Sequence, residues 1–168
     1  KVTLTDVLRD LTVNSGNSFD EQYTGSFSAG SASIGLRGLS PKNTLVLVNG
    51  KRRHGTALVH LNGTMGKGSS NVDLNAIPVA AIKRIEVLRD GAAAQYGSDA
   101  IAGVINIVLK DNASGAELSA STGQTFEGDG DYYKTSFNGA LAFLDTGFLN
   151  ITLEHQDKNN SNRAGFDP

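Results

Sequence analysis

The sequence predicts an α+β domain, a small mixed sheet with short helices and long loops, followed by a run of antiparallel strands. Three observations carry this expectation. Up to about Lys110, apolar segments of strand length alternate with short helical patterns. The composition changes at Asp111-Asn112-Ala113-Ser114-Gly115. Beyond it, apolar and polar residues alternate with period two between clusters of turn residues. The expected domains are therefore residues 1–112 and an incomplete set of strands over 113–168.

Leu4, Val7, Leu8 and Leu11 recur at helical spacing, with Thr5 or Asp6 as the cap of a short helix ending near Leu11. A loop rich in Ser, Gly and Asn runs from Asn14 to Ala29. Thr44–Val48 reads as a buried strand, and Asn49-Gly50 is a tight-turn signal. Lys51-Arg52-Arg53-His54 reads as a solvated turn, and a second long loop spans Gly55 to Asn71. In Asn75–Ile82, Pro78 suits the first turn of a short helix that feeds a strand at Arg84–Leu88. Gly91–Tyr96 is Ala-rich and helical, Gly97 ends it, and Val104–Leu109 is the last strand of this part. Two loops of this length inside one compact domain point to contact with something else.

The second part reads as three strands, Glu117–Thr125, Lys134–Leu144 and Phe148–Gln156. The middle one puts Tyr133, Phe137, Leu141 and Phe143 on one face, and Lys134, Ser136, Asn138 and Ala140 on the other. The third puts Leu149, Ile151 and Leu153 opposite Asn150, Thr152 and Glu154. Asp145-Thr146-Gly147 is a short connection and Glu127–Asp131 a longer, acidic one. This pattern suits the wall of a transmembrane β-barrel. A solvated antiparallel sheet shares it.

Composition excludes several classes. Hydrophobic residues are 39% of the 168, and no apolar run approaches the roughly 18 to 20 residues of a spanning helix. A net charge of −2 lacks the basic surplus of a nucleic-acid binder. Without cysteine there is no disulfide and no thiolate chemistry. Lys1-Val2-Thr3-Leu4 has no signal-peptide core, so a targeting segment is expected to have been removed or to lie upstream. Gly66-Lys67-Gly68-Ser69 departs from the phosphate-loop pattern. His54, His60 and His155 lack metal-ligand spacing, and Asp129 and Asp131 lack the calcium-loop pattern. Ser98-Asp99 has no identifiable histidine partner. No catalytic residue, metal or cofactor is expected.

Two blocks are diagnostic. The first is Ile34-Gly-Leu-Arg-Gly-Leu-Ser40 followed by Asn43-Thr-Leu-Val-Leu-Val-Asn-Gly-Lys-Arg52. The second begins at Val72-Asp-Leu-Asn-Ala-Ile-Pro78 and continues through Ile82-Lys-Arg-Ile-Glu-Val-Leu-Arg-Asp-Gly91 to Tyr96-Gly and Gly103-Val-Ile-Asn-Ile-Val-Leu-Lys110. In order and spacing, Leu4 to Lys110 resembles the plug domain of TonB-dependent outer-membrane receptors. One departure is Arg89-Asp90-Gly91, where the family often has Arg-Gly-Pro.

The resemblance implies a gating plug inside the barrel of an active transporter, energised by TonB, in the outer membrane of a Gram-negative bacterium. The rest of the barrel is expected after Pro168, since plugged barrels have about 22 strands. The segment that pairs with TonB is not found in the chain and is expected upstream of Lys1. The implied partners are TonB, the barrel itself, outer-membrane lipid, and a small polar ligand or metal chelate of the siderophore-iron, cobalamin or carbohydrate class. The plug–barrel locking residues implied are Arg37 and Arg89, with Glu86 beside them. The ligand-facing loops implied are Gln22–Phe27, Pro41–Asn43 and Gly55–Ser70, with Gln22, Tyr23, Phe27, Lys42, Asn43, His54, His60, Asn62 and Lys67 as candidates. The alternative is a plug-derived module that recognises a protein partner and transports nothing.

Overall fold

The computed structural model describes residues 3–12, 18, 31–57, 59, 68, 70–126, 128–143 and 147–159. The chain divides into two compact units, Lys1–Lys110 and Asp111–Pro168.

The first unit is built on a four-stranded mixed sheet. Its strands are β1 (Thr44–Val48), β2 (Lys51–Arg52), β3 (Ile82–Leu88) and β4 (Gly103–Leu109), in the order β2-β1-β4-β3. β1 and β4 run parallel, with Thr44 opposite Gly103 and Val48 opposite Ile107. The other two pairings are antiparallel. The two central strands carry apolar side chains toward both faces, and Asn106 is the one polar residue inside β4. On one face Val46, Ile105 and Ile107 pack with Leu4 and Leu8 of helix α1 (Leu4–Arg9) and with Ile34, Leu36, Leu74 and Ile77. On the other, Leu45, Leu47 and Val104 pack with Ala92 and Tyr96 of helix α2 (Ala92–Tyr96) and with Ala100. Edge strand β3 alternates, with Ile85 and Val87 against the core and Arg84, Glu86 and Leu88 exposed.

Local chemistry explains the boundaries and corrects four expectations. The cap of α1 is Thr3, not Thr5 or Asp6. Its hydroxyl accepts from the Asp6 N–H at 3.2 Å, and the Asp6 carboxylate accepts from the Thr3 N–H at 3.0 Å. This reciprocal box starts the helix early, and it ends at Arg9, not Leu11. The turn after Pro78 is a single 3₁₀ turn, Val79–Ala81, with Pro78 itself as the cap. Asn49 and Gly50 both have positive φ, 50° and 76°, as a type I′ hairpin turn requires. Lys51-Arg52 is accordingly a short return strand on β1, not a free turn.

At Gly103 a side chain has no room. Its φ is +136°, and a Cβ there would lie 2.8 Å from the Leu88 carbonyl oxygen and 3.0 Å from Leu36 Cδ1.

The second unit is an antiparallel sheet of β5 (Gly115–Gly123), β6 (Tyr132–Phe143) and β7 (Gly147–Lys158), in that order. The register lines up Leu118, Phe137 and Leu153 across the three strands, and all three side chains are exposed. Leu141 faces Leu149 in the same way. On the opposite face Ser136, Asn138 and Ala140 are buried. Hydrogen bonds stitch that face: Ser119 to Ser136 at 2.7 Å, and Asn138 Nδ2 donating to Asn150 Oδ1 at 2.6 Å and Thr152 Oγ1 at 2.7 Å. Lys134 and Glu154 pair at 3.0 Å in the same layer. The large apolar side chains of this sheet are therefore the exposed ones, while the polar side of its central strand is buried. Residues 144–146 and the side chain of Phe143 lie outside the described residues.

Candidate functional site

The charged side chains of the first unit fall into separate clusters. At the end where β1 begins and β3 finishes, Thr44 Oγ1 accepts from the Leu36 N–H at 3.2 Å. The Leu39 N–H donates back to the Leu36 carbonyl at 3.0 Å and closes a turn over Arg37-Gly38. Both residues in it have positive φ, 56° and 72°. For glycine this is free. For an arginine it costs about 1–2 kcal/mol. The turn delivers the Arg37 guanidinium to the end of β3, where Nη1 donates to the Arg89 carbonyl at 3.2 Å and to Asp90 Oδ1 at 3.4 Å. Gly91, at φ +70°, then caps α2 and turns the chain away. Arg37 and Arg89 thus meet although 52 positions separate them in sequence.

Glu86 is held elsewhere. Its carboxylate accepts from Asn106 Nδ2 and Arg84 Nε, each at 2.8 Å. The Asn106 hydrogen bond, then that of Arg84, holds its pKa below the ordinary glutamate range. Asn106 also accepts the Gly50 N–H at 2.9 Å, and Asn49 Oδ1 accepts the Leu109 N–H at 2.9 Å, so the hairpin tip is tied into β4. Next to it Arg52 bonds to the Tyr96 carbonyl, at the end of α2, and to Asp99 at 2.8 Å. Sequence reasoning missed Asn106, Arg52 and Asp90 because each acts across a sequence-distant contact.

Among the candidate ligand residues, Lys42 and His54 are exposed, and Asn43 is half-buried. Asn43 serves the fold through its backbone, accepting the Ala102 N–H at 2.9 Å and donating to Ser40 at 2.9 Å. The neck of the Gly55–Ser70 loop is closed by the Thr56 N–H on the Asn71 carbonyl at 2.9 Å, and by the Ser70 hydroxyl on the Thr56 carbonyl. Gln22, Tyr23, Phe27, His60, Asn62 and Lys67 lie outside the described residues. Among the described residues, no group of three or more His, Asp or Glu side chains is placed to hold a metal.

Residues 1–104 match the family model described as the TonB-dependent receptor plug domain. The chain belongs to that family. The plug and the strands after it are also similar to proteins studied elsewhere. The chain is 32% identical to the ferric enterobactin receptor of Pseudomonas aeruginosa over 152 residues, covering 80% of this chain and 20% of that protein. It is 47% identical over 77 residues to the probable TonB-dependent siderophore receptor PirA of Acinetobacter baumannii, covering 46% of this chain and 10% of that one. Among solved structures, a double variant of the ferric enterobactin receptor PfeA of Pseudomonas aeruginosa superposes with a TM-score of 0.69 at 29% identity, over 92% of this chain and 22% of that one. A PfeA variant in complex with enterobactin gives a TM-score of 0.68 at 27% identity. The chain therefore spans about a tenth to a fifth of the curated relatives it matches.

Proposed function

We propose that this chain is the gating plug and first wall strands of an outer-membrane receptor that takes up a ferric siderophore with energy from TonB. The observation that carries the reading is the 32% identity to a ferric enterobactin receptor over 80% of the chain, through both the plug and the strands beyond it. The second unit supports it physically. An exposed apolar face opposite a polar one is the pattern of a barrel wall, whose outside meets lipid and whose inside meets water or a plug.

In this reading the plug blocks the lumen until ligand and TonB act together. Arg37 and Arg89, brought to one end of the sheet, take acidic groups of the barrel and hold the plug in place. Lys42 and His54, with Asn43 between strands and loop, belong to the ligand-facing side. Ferric enterobactin, the ligand in the names of relatives that match through most of the chain, is the candidate cargo. The protein moves its ligand without changing it, so no catalytic group is called for.

The test is iron uptake from ferric enterobactin by Gram-negative cells whose only siderophore receptor contains this chain. Uptake that requires TonB supports the reading. Ferric enterobactin binding without uptake would identify a binding module instead, and neither binding nor uptake would assign another ligand.

A further inference from the structure

We propose that Asp90 is the positioning residue of the lock, a counter-ion within the plug that aims Arg37 at an acidic group of the barrel. The inference rests on the locking role given to Arg37 above. Its starting point is backbone strain. Arg37 occupies a left-handed conformation at φ +56° that an arginine adopts only against a steric cost. What the conformation achieves is the delivery of the guanidinium to the Arg89 carbonyl and Asp90 Oδ1.

Both contacts use Nη1. Among the described residues Nε and Nη2 make no hydrogen bond, so the edge of the fork that grips a carboxylate in bidentate fashion stays open. The side chain of Arg37 is half-exposed and that of Asp90 more so, which places the open edge at the surface. Asp90 also offsets the charge of Arg37, with which it pairs at 3.4 Å. Without it Arg37 loses one of the two anchors that fix its direction.

The test is a double-mutant cycle on passive leakage of a small anionic dye through the full receptor in lipid vesicles. Arg37→Ala, Asp90→Asn, the double variant and Asp90→Glu are compared, with amide exchange over Thr44–Val48 as the check that each plug is folded. Asp90→Asn is expected to raise leakage about two- to fivefold, the range of an exposed ion pair. In the Arg37→Ala background the same change should add nothing, and Asp90→Glu should restore most of the seal. An equal rise with and without Arg37 would overturn the positioning role and make Asp90 a structural turn residue. No rise in Asp90→Asn beside a leaking Arg37→Ala would also overturn it, while leaving the lock standing. No leakage in Arg37→Ala would overturn the lock and, with it, this role.

Discussion

Replacing Gly103 with alanine tests why the sheet of the first unit closes as it does. Gly103 opens β4 opposite Thr44, at the point where the chain leaves the turn after α2. Two separate costs fall on this position. The backbone φ of +136° is one that side chains rarely adopt, at about 1–3 kcal/mol. The added Cβ meets the Leu88 carbonyl at 2.8 Å, which is backbone of a residue paired in the β3–β4 ladder, and overpacking of this kind costs about 1–3 kcal/mol. Gly103→Ala is therefore expected to lower stability by about 2–6 kcal/mol, the sum of those ranges. Gly91→Ala is the control. Its φ of +70° is also left-handed, but a Cβ there meets nothing within 4 Å, so only the backbone cost of about 1–2 kcal/mol applies. Urea unfolding of the whole chain followed by far-ultraviolet circular dichroism, with amide exchange of residues 103–109 to locate the loss, separates the two. Equal losses for both variants, or a Gly103→Ala effect below about 0.5 kcal/mol, would refute the close approach at Leu88 as the reason for glycine.

Three further outcomes follow from the same structure. Leu8→Ala empties a fully buried site on α1 and should cost about 2–5 kcal/mol in the same urea assay. Glu86 has its folded pKa lowered, so its contribution is present above the ordinary glutamate range and is lost as pH falls through the lowered value. Asn106→Ala, which removes the largest cause of that lowering, should therefore flatten the acid limb of a stability-against-pH curve, beyond any pH-independent loss. Leu153→Arg puts a charge in the exposed apolar row of β7. In the full receptor folding into lipid it should cost about 2–4 kcal/mol if the row crosses the bilayer midplane, measured as the shift in the urea midpoint of membrane refolding.

The parts of the fold that were legible in the sequence are those with a strong local signal. Thr44–Val48 is apolar at every position except its first because both of its faces are covered, and its bounds were read correctly. The Asn49-Gly50 turn and the glycine that ends α2 were legible for the same reason, since their backbone conformations select those residues. The Thr3 cap was missed because its partner is Asp6, a shorter acid than the usual Glu or Gln of such a box. β2 was missed because a strand of two residues has no periodicity. In the second unit the two faces of Tyr132–Phe143 and Gly147–Lys158 followed from alternation, although alternation does not say which face is covered. The site was legible to a smaller degree. Arg37 and Arg89 were named from the resemblance, but the contact between them needs the fold, and Glu86 sits in a different cluster, with Asn106 and Arg84. Asp90 and Asn106 carry no local sign of their partners, which lie 53 and 20 or more positions away.

The claim at the centre of this account is that the first unit closes a barrel and that its removal opens one. Deleting residues 3–110 from the full receptor and recording conductance in planar lipid bilayers tests it most directly. The account predicts that the intact receptor passes almost no current, while the deleted form conducts as a large open channel and no longer accumulates ferric enterobactin in cells. A deleted form that inserts and folds yet remains as tight as the intact receptor would contradict it.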